Sequence, residues 1–411
     1  MSCAGEPIDA SALGQPLDFV FSSRHALNRF HKGTMSEHLS SWSDDGLYAR
    51  GLPSDELIEA YRIWGQGDIG LILTGNVMID PQQLETEGNL IIPTDAPFSG
   101  PRFERSKSLG GGTKAHGSLV VAQVSHPGRQ TPFHPQPHPI SASTVQLAGE
   151  ILGNKYDGPR AAADEDIRTV IEGFAHAAEY LEKAGYDGIQ LHAAHGYLLS
   201  QFLSETTNRR TDQYGGSLEN RMRLILEIRE EISRRVRPDF VIAARVNSVE
   251  FQPSGFQSEE AKALCRSLKE HRFDFMTSDA RRESTKKREA FLLDFAQMIV
   301  SSSTKTKSYL TGGFRSVEGM LKGLETLHGV GLARPLCQEP FLFGLAAVAA
   351  CIQIRQMGVG LKPVDLGEKE WAEKVTAAVS QWGVLKQADR SESALWPPLL
   401  MGYEVPLAAQ A

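Results

Sequence analysis

Gly188-Ile189-Gln190-Leu191-His192-Ala193-Ala194-His195-Gly196-Tyr197 decides how this chain is read. An apolar run breaks off into two histidines and a tyrosine, the pattern of a buried strand whose far end carries proton donors. The rest of the chain repeats the theme. Short apolar runs at 69–73, 118–124, 187–191, 240–244, 274–277, 308–310 and 329–332 alternate with stretches of helical spacing. A weaker first run at 28–33, interrupted by His31 and Lys32, makes eight. Most are apolar throughout, as strands covered on both faces require. Ile167, Val170, Ile171, Phe174, Ala178 and Leu181 keep a helical period, as do Ile225, Ile228 and Ile232, and Ser54 stands as an N-cap ahead of Leu57 and Tyr61. Eight strands with intervening helices predict an α/β fold, a (β/α)8 TIM barrel. A doubly wound sheet is the runner-up, weakened because no Gly-x-Gly-x-x-Gly follows an early strand.

The barrel is expected over 20–360, between an N-terminal segment at 1–19 and a C-terminal helix and tail at 361–411. A loop over 125–160, with six prolines from Pro127 to Pro159, is long enough to be a lid or a binding loop. The tail, with Trp396-Pro397-Pro398, is expected to pack on the barrel or on a second copy in a homodimer. Composition is ordinary and sufficient for a large core: 411 residues, 41% hydrophobic and 23% charged. A net charge of −7 and no basic stripe argue against nucleic acid as a partner. Cys3, Cys265, Cys337 and Cys351 are scattered, with no Cys-x-x-Cys pair. They fit a reducing, cytoplasmic compartment. Residues 1–18 show no basic-then-apolar leader, and no apolar run approaches the ~18 residues a membrane span needs.

Catalytic groups in such a barrel sit at the C-terminal ends of the strands. His192 and His195, three apart, are suited to hold and polarise a carbonyl oxygen. A structural pair or a metal site is the other reading, though no third ligand or His-Glu-x-x-His pattern lies nearby. The Tyr197 phenol stays protonated near neutral pH and can give up its proton late in a reaction, where a packing role is the plain alternative. Thr34, Met35 and Ser36 end the first run, Gly75 and Asn76 follow the second, Gln123 lies near the end of the third and Arg245 ends the fifth. A buried carboxamide and a guanidinium need polar partners, which for Arg245 a salt bridge to Glu250 would also supply. Gly312-Gly313 after the seventh run and Gly331, Ala333 and Arg334 at the eighth have the composition of a phosphate cradle.

The strand-four motif, with Asn208-Arg209-Arg210-Thr211-Asp212-Gln213-Tyr214-Gly215-Gly216-Ser217 and Glu219-Asn220-Arg221, resembles the signature of the Old Yellow Enzyme family of FMN-dependent ene-reductases, in its bacterial and fungal branch. Ala122-Gln123-Val124-Ser125-His126-Pro127-Gly128-Arg129 and the two glycine turns extend the likeness over about residues 20–355. The resemblance implies FMN, with Thr34, Met35, Ser36, Gly75, Asn76, Gln123, His192 and Arg245 around the ring and Gly312, Gly313, Gly331, Ala333 and Arg334 at the phosphate. It implies NADH or NADPH as reductant, an enone or enal as substrate, His192 and His195 on the carbonyl oxygen, and Tyr197 as proton donor. It departs at the sixth strand, where Ser278-Asp279-Ala280-Arg281-Arg282 replaces a Ser-Gly-Gly-like turn and the loop is short. That loop bears on substrate choice and turnover. It leaves two alternatives: a flavin-dependent isomerase or natural-product tailoring enzyme without net reduction, and a phosphate-ligand barrel without flavin.

Overall fold

Eight parallel strands close into a ring in the computed structural model, which describes residues 8–341 except 45, 133–135, 152–153, 248–255, 280–304 and 315. They are β1 (Phe30–Lys32), β2 (Leu71–Met78), β3 (Leu119–Ser125), β4 (Gly188–Ala193), β5 (Val241–Val246), β6 (Phe275–Asp279), β7 (Lys307–Thr311) and β8 (Gly329–Leu332). Each pairs in parallel with the next, and β8 closes on β1 through Val330 opposite Phe30. The ring is the (β/α)8 barrel that the sequence predicts.

Alternation along the strands builds two cores. Leu71, Leu73, Leu119, Val121, Val241, Ala243, Phe275 and Tyr309 fill the interior. The opposite faces, among them Ile72, Val120, Ala122, Ile189 and Leu191, pack under helices that include Asp164–Lys183 and Leu218–Arg235, through Phe174, Ala178, Leu181, Ile225 and Ile228. An antiparallel hairpin, Leu17–Phe19 with Arg24–Ala26, plugs the bottom with Leu17, Phe19 and Ala26. The boundary expected at 19/20 falls at this hairpin. Ser54 caps the helix Asp55–Gly65, its side chain accepting from Leu57 N–H. Among the described residues no helix is long and apolar enough to cross a membrane.

Six strands, β2 to β7, run on past the expected ends, and each addition includes a polar residue. β2 continues to Met78 across a register shift between Leu73 and Asn76, so Gly75 and Asn76 lie within the strand. β4 takes in His192 and β5 takes in Arg245, which face each other in register. Apolar periodicity stops where side chains turn from the packed interior into the polar mouth, while the backbone ladder continues. The helix Pro101–Lys114 was not legible either, because Gly110-Gly111-Gly112 masks a buried side made by Phe103, Ser106, Leu109 and Thr113. The expected tail and the loop after β6 lie outside the described residues.

Candidate active site

Adjacent strand ends bring most of the expected residues together. Gln123, fully buried on β3, is the hub. Its Oε1 accepts from Arg245 (3.0 Å) and from Thr34 (3.1 Å), and its Nε2 donates to Asn76 Oδ1 (2.6 Å). Asn76 Nδ2 in turn donates to Glu85 (2.5 Å). A guanidinium is thus joined to a carboxylate through two carboxamides, each donating onward in the same direction. Ser36 Oγ lies 3.0 Å from both oxygens of Glu85.

His192 stands at the centre, 3% exposed. Its Nδ1 is 2.9 Å from Asn76 Oδ1 and 3.1 Å from both Ser125 Oγ and Gln123 Nε2, and its Nε2 is 2.9 Å from His195 Nδ1. Burial first, then the neighbouring His195 and Arg245, hold its pKa well below the ordinary imidazole value, so the ring is neutral. His195 is exposed and sits at φ 59°, followed by Gly196 at φ 73°. This left-handed turn brings Tyr197 back against the His192 ring, edge to face at 4.6 Å. Tyr197 is buried. Burial, then the nearby Glu85 carboxylate, push its ionisation well above the usual phenol range.

The glycines divide. Gly312 and Gly313 adopt φ 88° and 82°, and a Cβ at Gly312 would meet nothing within 4 Å, so this turn lies open. Ala333 and the exposed Arg334 follow β8 directly, whereas Gly331 backs onto the His31 ring inside the barrel. At Gly75 a Cβ would fall 1.9 Å from Glu37 Oε2. Its N–H donates to Glu37 (2.8 Å), so the small residue serves this carboxylate. Met35 touches Cys337 at 3.6 Å between sulfurs, away from the Gln123 hub. Glu250, the other partner weighed for Arg245, lies outside the described residues.

Other motif residues build the frame. Asn208 Nδ2 holds the carbonyls of Phe202 and Tyr214, and Arg221 binds Leu203 O and Glu260. His126 Nδ1 accepts from Gly128 N–H, and Arg129 donates to Val145 O. A cavity of about 590 Å³ lined by Asp80, Asp95, His126, Arg160 and Asp166 opens to one side, and none of the residues expected around FMN lines it. Sequence reasoning missed Glu85, Ser125 and Asn247, which holds the His195 backbone N–H (3.1 Å). Glu85 gave no signal, being one carboxylate in a polar loop. Ser125 reads in the sequence as the start of the proline-rich loop.

The donor set fits an FMN. A buried carboxamide paired with a guanidinium offers acceptor and donor to a pyrimidine edge, and an open glycine turn beside Arg334 suits a phosphate. A parallel barrel with this mouth defines a flavin oxidoreductase of the TIM-barrel class. Residues 16–346 match the NADH:flavin oxidoreductase / NADH oxidase family. Over its full length and that of the relative, the chain is 53% identical to the NADH-dependent flavin oxidoreductase nadA of Aspergillus parasiticus. It is 33% identical to the NADH-dependent flavin oxidoreductase iccE of Talaromyces variabilis, over 69% of this chain and 75% of that one. Among solved structures, the Old Yellow Enzyme homologue of Zymomonas mobilis superposes with a TM-score of 0.66 at 22% identity, covering 85% of this chain and 98% of that one. Morphinone reductase in complex with tetrahydroNAD gives 0.65 at 23%, covering 82% and 92%.

The chain belongs to the NADH:flavin oxidoreductase / NADH oxidase family, the Old Yellow Enzyme family. It is an oxidoreductase that works with FMN and a reduced nicotinamide. The alternative of a barrel without flavin is set aside by this membership.

Proposed function

We propose that this enzyme reduces the carbon–carbon double bond of an α,β-unsaturated carbonyl compound, an enone or enal, at the expense of NADH. FMN, when bound, supplies the hydride chemistry, taking hydride from the nicotinamide and giving it to the substrate's β-carbon. The names of the relatives, NADH-dependent flavin oxidoreductases, favour NADH over NADPH.

The chain's own residues do the rest. Thr34, Gln123, Asn76 and Arg245 hold the ring, and Gly312, Gly313, Ala333 and Arg334 hold the phosphate. Both imidazoles were expected to donate to one oxygen. The 2.9 Å contact from His192 Nε2 to His195 Nδ1 supports a division of labour instead: the exposed His195 meets the carbonyl oxygen, and the buried His192 holds that ring. A carbonyl polarised there loses electron density at its β-carbon. Tyr197 then gives its proton to the α-carbon as negative charge builds on it. The observation that carries this reading is the 4.6 Å packing of Tyr197 on His192, which itself contacts His195 and the Gln123 hub.

The test uses the FMN-loaded protein with a panel of enones and both nicotinamides. Tyr197→Phe is expected to keep nicotinamide-driven flavin reduction and to slow alkene reduction by about 10²–10⁴-fold, the usual worth of a positioned proton donor. Alkene reduction at the wild-type rate in that variant removes Tyr197 from the mechanism.

A further inference from the structure

His195 occupies a backbone position that disfavours a side chain. The turn from Ala194 to Tyr197 closes through Tyr197 N–H to Ala194 O (3.2 Å), and its two central residues, His195 and Gly196, have positive φ (59° and 73°). Two successive positive φ values mark the mirror-image turn that suits Gly, Asn and Asp. A larger residue persists there only when its surroundings hold it. Two carboxamides from different loops do so. Asn247, just past β5, accepts the His195 N–H on Oδ1 (3.1 Å), and Gln130, in the loop after β3, donates from Nε2 to the His195 carbonyl (2.6 Å).

The backbone partners leave each amide one orientation. A peptide N–H only donates, so Asn247 must present its oxygen, and its Nδ2 then reaches Ser200 Oγ (3.1 Å). A peptide carbonyl only accepts, so Gln130 must present its nitrogen. Gln130 also accounts for the glycine that follows: a Cβ at Gly196 would fall 2.6 Å from Gln130 Nε2. Gln201 donates to the next carbonyl, Gly196 O (2.7 Å), but it is fully buried and also meets Pro127 O and Ser141 Oγ, so it belongs to the frame of the loop. Asn247 and Gln130 are half-buried, and they flank the residue whose ring reaches His192 Nε2 (2.9 Å).

We propose that Gln130 and Asn247 are positioning residues: their carboxamides clamp the carbonyl and the N–H of His195, keep it in the left-handed conformation, and so set its imidazole against His192 to meet the substrate's carbonyl oxygen. This rests on the reading of His195 as the group that meets that oxygen. Released from the clamp, His195 relaxes toward negative φ. Its Cα–Cβ bond then swings away from His192, and the imidazole leaves its place in the mouth.

The test addresses the two backbone groups separately in the FMN-loaded protein. Asn247→Asp keeps an acceptor for the His195 N–H, and Asn247→Leu removes it at similar volume. Gln130→Glu replaces the donor at the His195 carbonyl by an acceptor, and Gln130→Ala removes the side chain. The flavin is reduced anaerobically with dithionite, and its reoxidation by cyclohexenone is followed by stopped flow. Asn247→Leu and both Gln130 variants should slow this step about tenfold, the effect of losing one positioning hydrogen bond. Asn247→Asp should retain most of the rate, and in a His195→Ala background none of the changes should add a further loss. A crystal structure of the protein carrying both Gln130→Ala and Asn247→Leu should show His195 at negative φ, its ring beyond hydrogen-bond reach of His192 Nε2. An equal loss in Asn247→Asp and Asn247→Leu, a full second loss in the His195→Ala background, or a His195 still at positive φ against His192 overturns the proposal. If the wild type reduces neither cyclohexenone nor any other enone, the proposed function fails, and the crystal structure still decides whether the clamp sets His195.

Discussion

Replacing Lys32 by methionine should make this protein more stable at neutral pH. Lys32 is fully buried at the end of β1, with its ammonium 2.9 Å from Leu73 O and 4.4 Å above the Trp64 ring. Burial, partly opposed by Glu37 and Cys337, pulls its pKa from 10.5 to about 8. Such a displacement corresponds to roughly 3 kcal/mol carried against folding while the group is charged in both states. Methionine keeps the packing on Tyr61 and Trp64 and forfeits the bond to Leu73 O, about 1 kcal/mol. The net gain is about 2 kcal/mol at pH 7. The sign of the pH dependence is fixed: the folded state sheds its proton near pH 8 and the unfolded chain near 10.5, so between them the unfolded chain binds more protons and wild-type stability rises with pH. Urea midpoints of both proteins from pH 7 to 11 should show the advantage of Lys32→Met shrinking across that window. Taking the difference removes the tyrosines, which titrate in both proteins. A variant less stable at pH 7, or a difference flat in pH, refutes a charged, desolvated Lys32.

Gly75→Ala would press a Cβ against the Glu37 carboxylate and the Met35 carbonyl and should cost about 1–3 kcal/mol in a urea titration; an unchanged midpoint would refute the close packing of this glycine. Gln123→Leu strips Arg245 and Asn76 of their shared partner and should weaken FMN binding at least tenfold, read by flavin fluorescence on titrating the apoprotein; an unaltered Kd would take Gln123 out of the cofactor site. Burial holds His126 and His328 at about 4. The unfolded chain therefore gains protons first as pH falls from 6.5 to 4, and stability drops through that window; His328→Gln should flatten the drop in a pH series of thermal melts, and an equally steep drop would show that His328 does not contribute.

The polar cluster at β4 was legible because its residues are rare in combination and adjacent in the chain. Gln123 and Arg245 were legible for a different reason: a polar side chain at the end of an apolar run needs a partner, and the partner proves to be the other one. What escaped notice depends on distance in the fold. His31 and Lys32 read as flaws in a weak strand. In fact His31 turns inward to Thr311 (3.0 Å) and lies against Tyr309, while Lys32 turns outward under Tyr61 and Trp64. Each face of the strand has its own polar partner, which no local pattern records. The true length of β2 was hidden because Thr74-Gly75-Asn76 has the composition of a turn. Thr74 Oγ1 takes the Gln123 N–H (3.1 Å) at the register shift, so the strand survives the irregularity.

The run from Arg245 through Gln123 and Asn76 to Glu85 ties these observations together. A carboxamide set between two neutral neighbours can flip its oxygen and nitrogen at little cost. Here the guanidinium accepts only an oxygen as partner at one end, and the carboxylate only a donor at the other. Both amides are thereby locked head to tail, and each bond polarises the next in a site shielded from water. Two formal charges, one on β5 and one in the loop after β2, thus set the orientation of the neutral groups between them, and both carboxamides also reach His192 Nδ1, Asn76 Oδ1 at 2.9 Å and Gln123 Nε2 at 3.1 Å. Arg245 and Gln123 on one side of the mouth and His192 on the other are therefore joined in one hydrogen-bonded unit through groups that carry no charge.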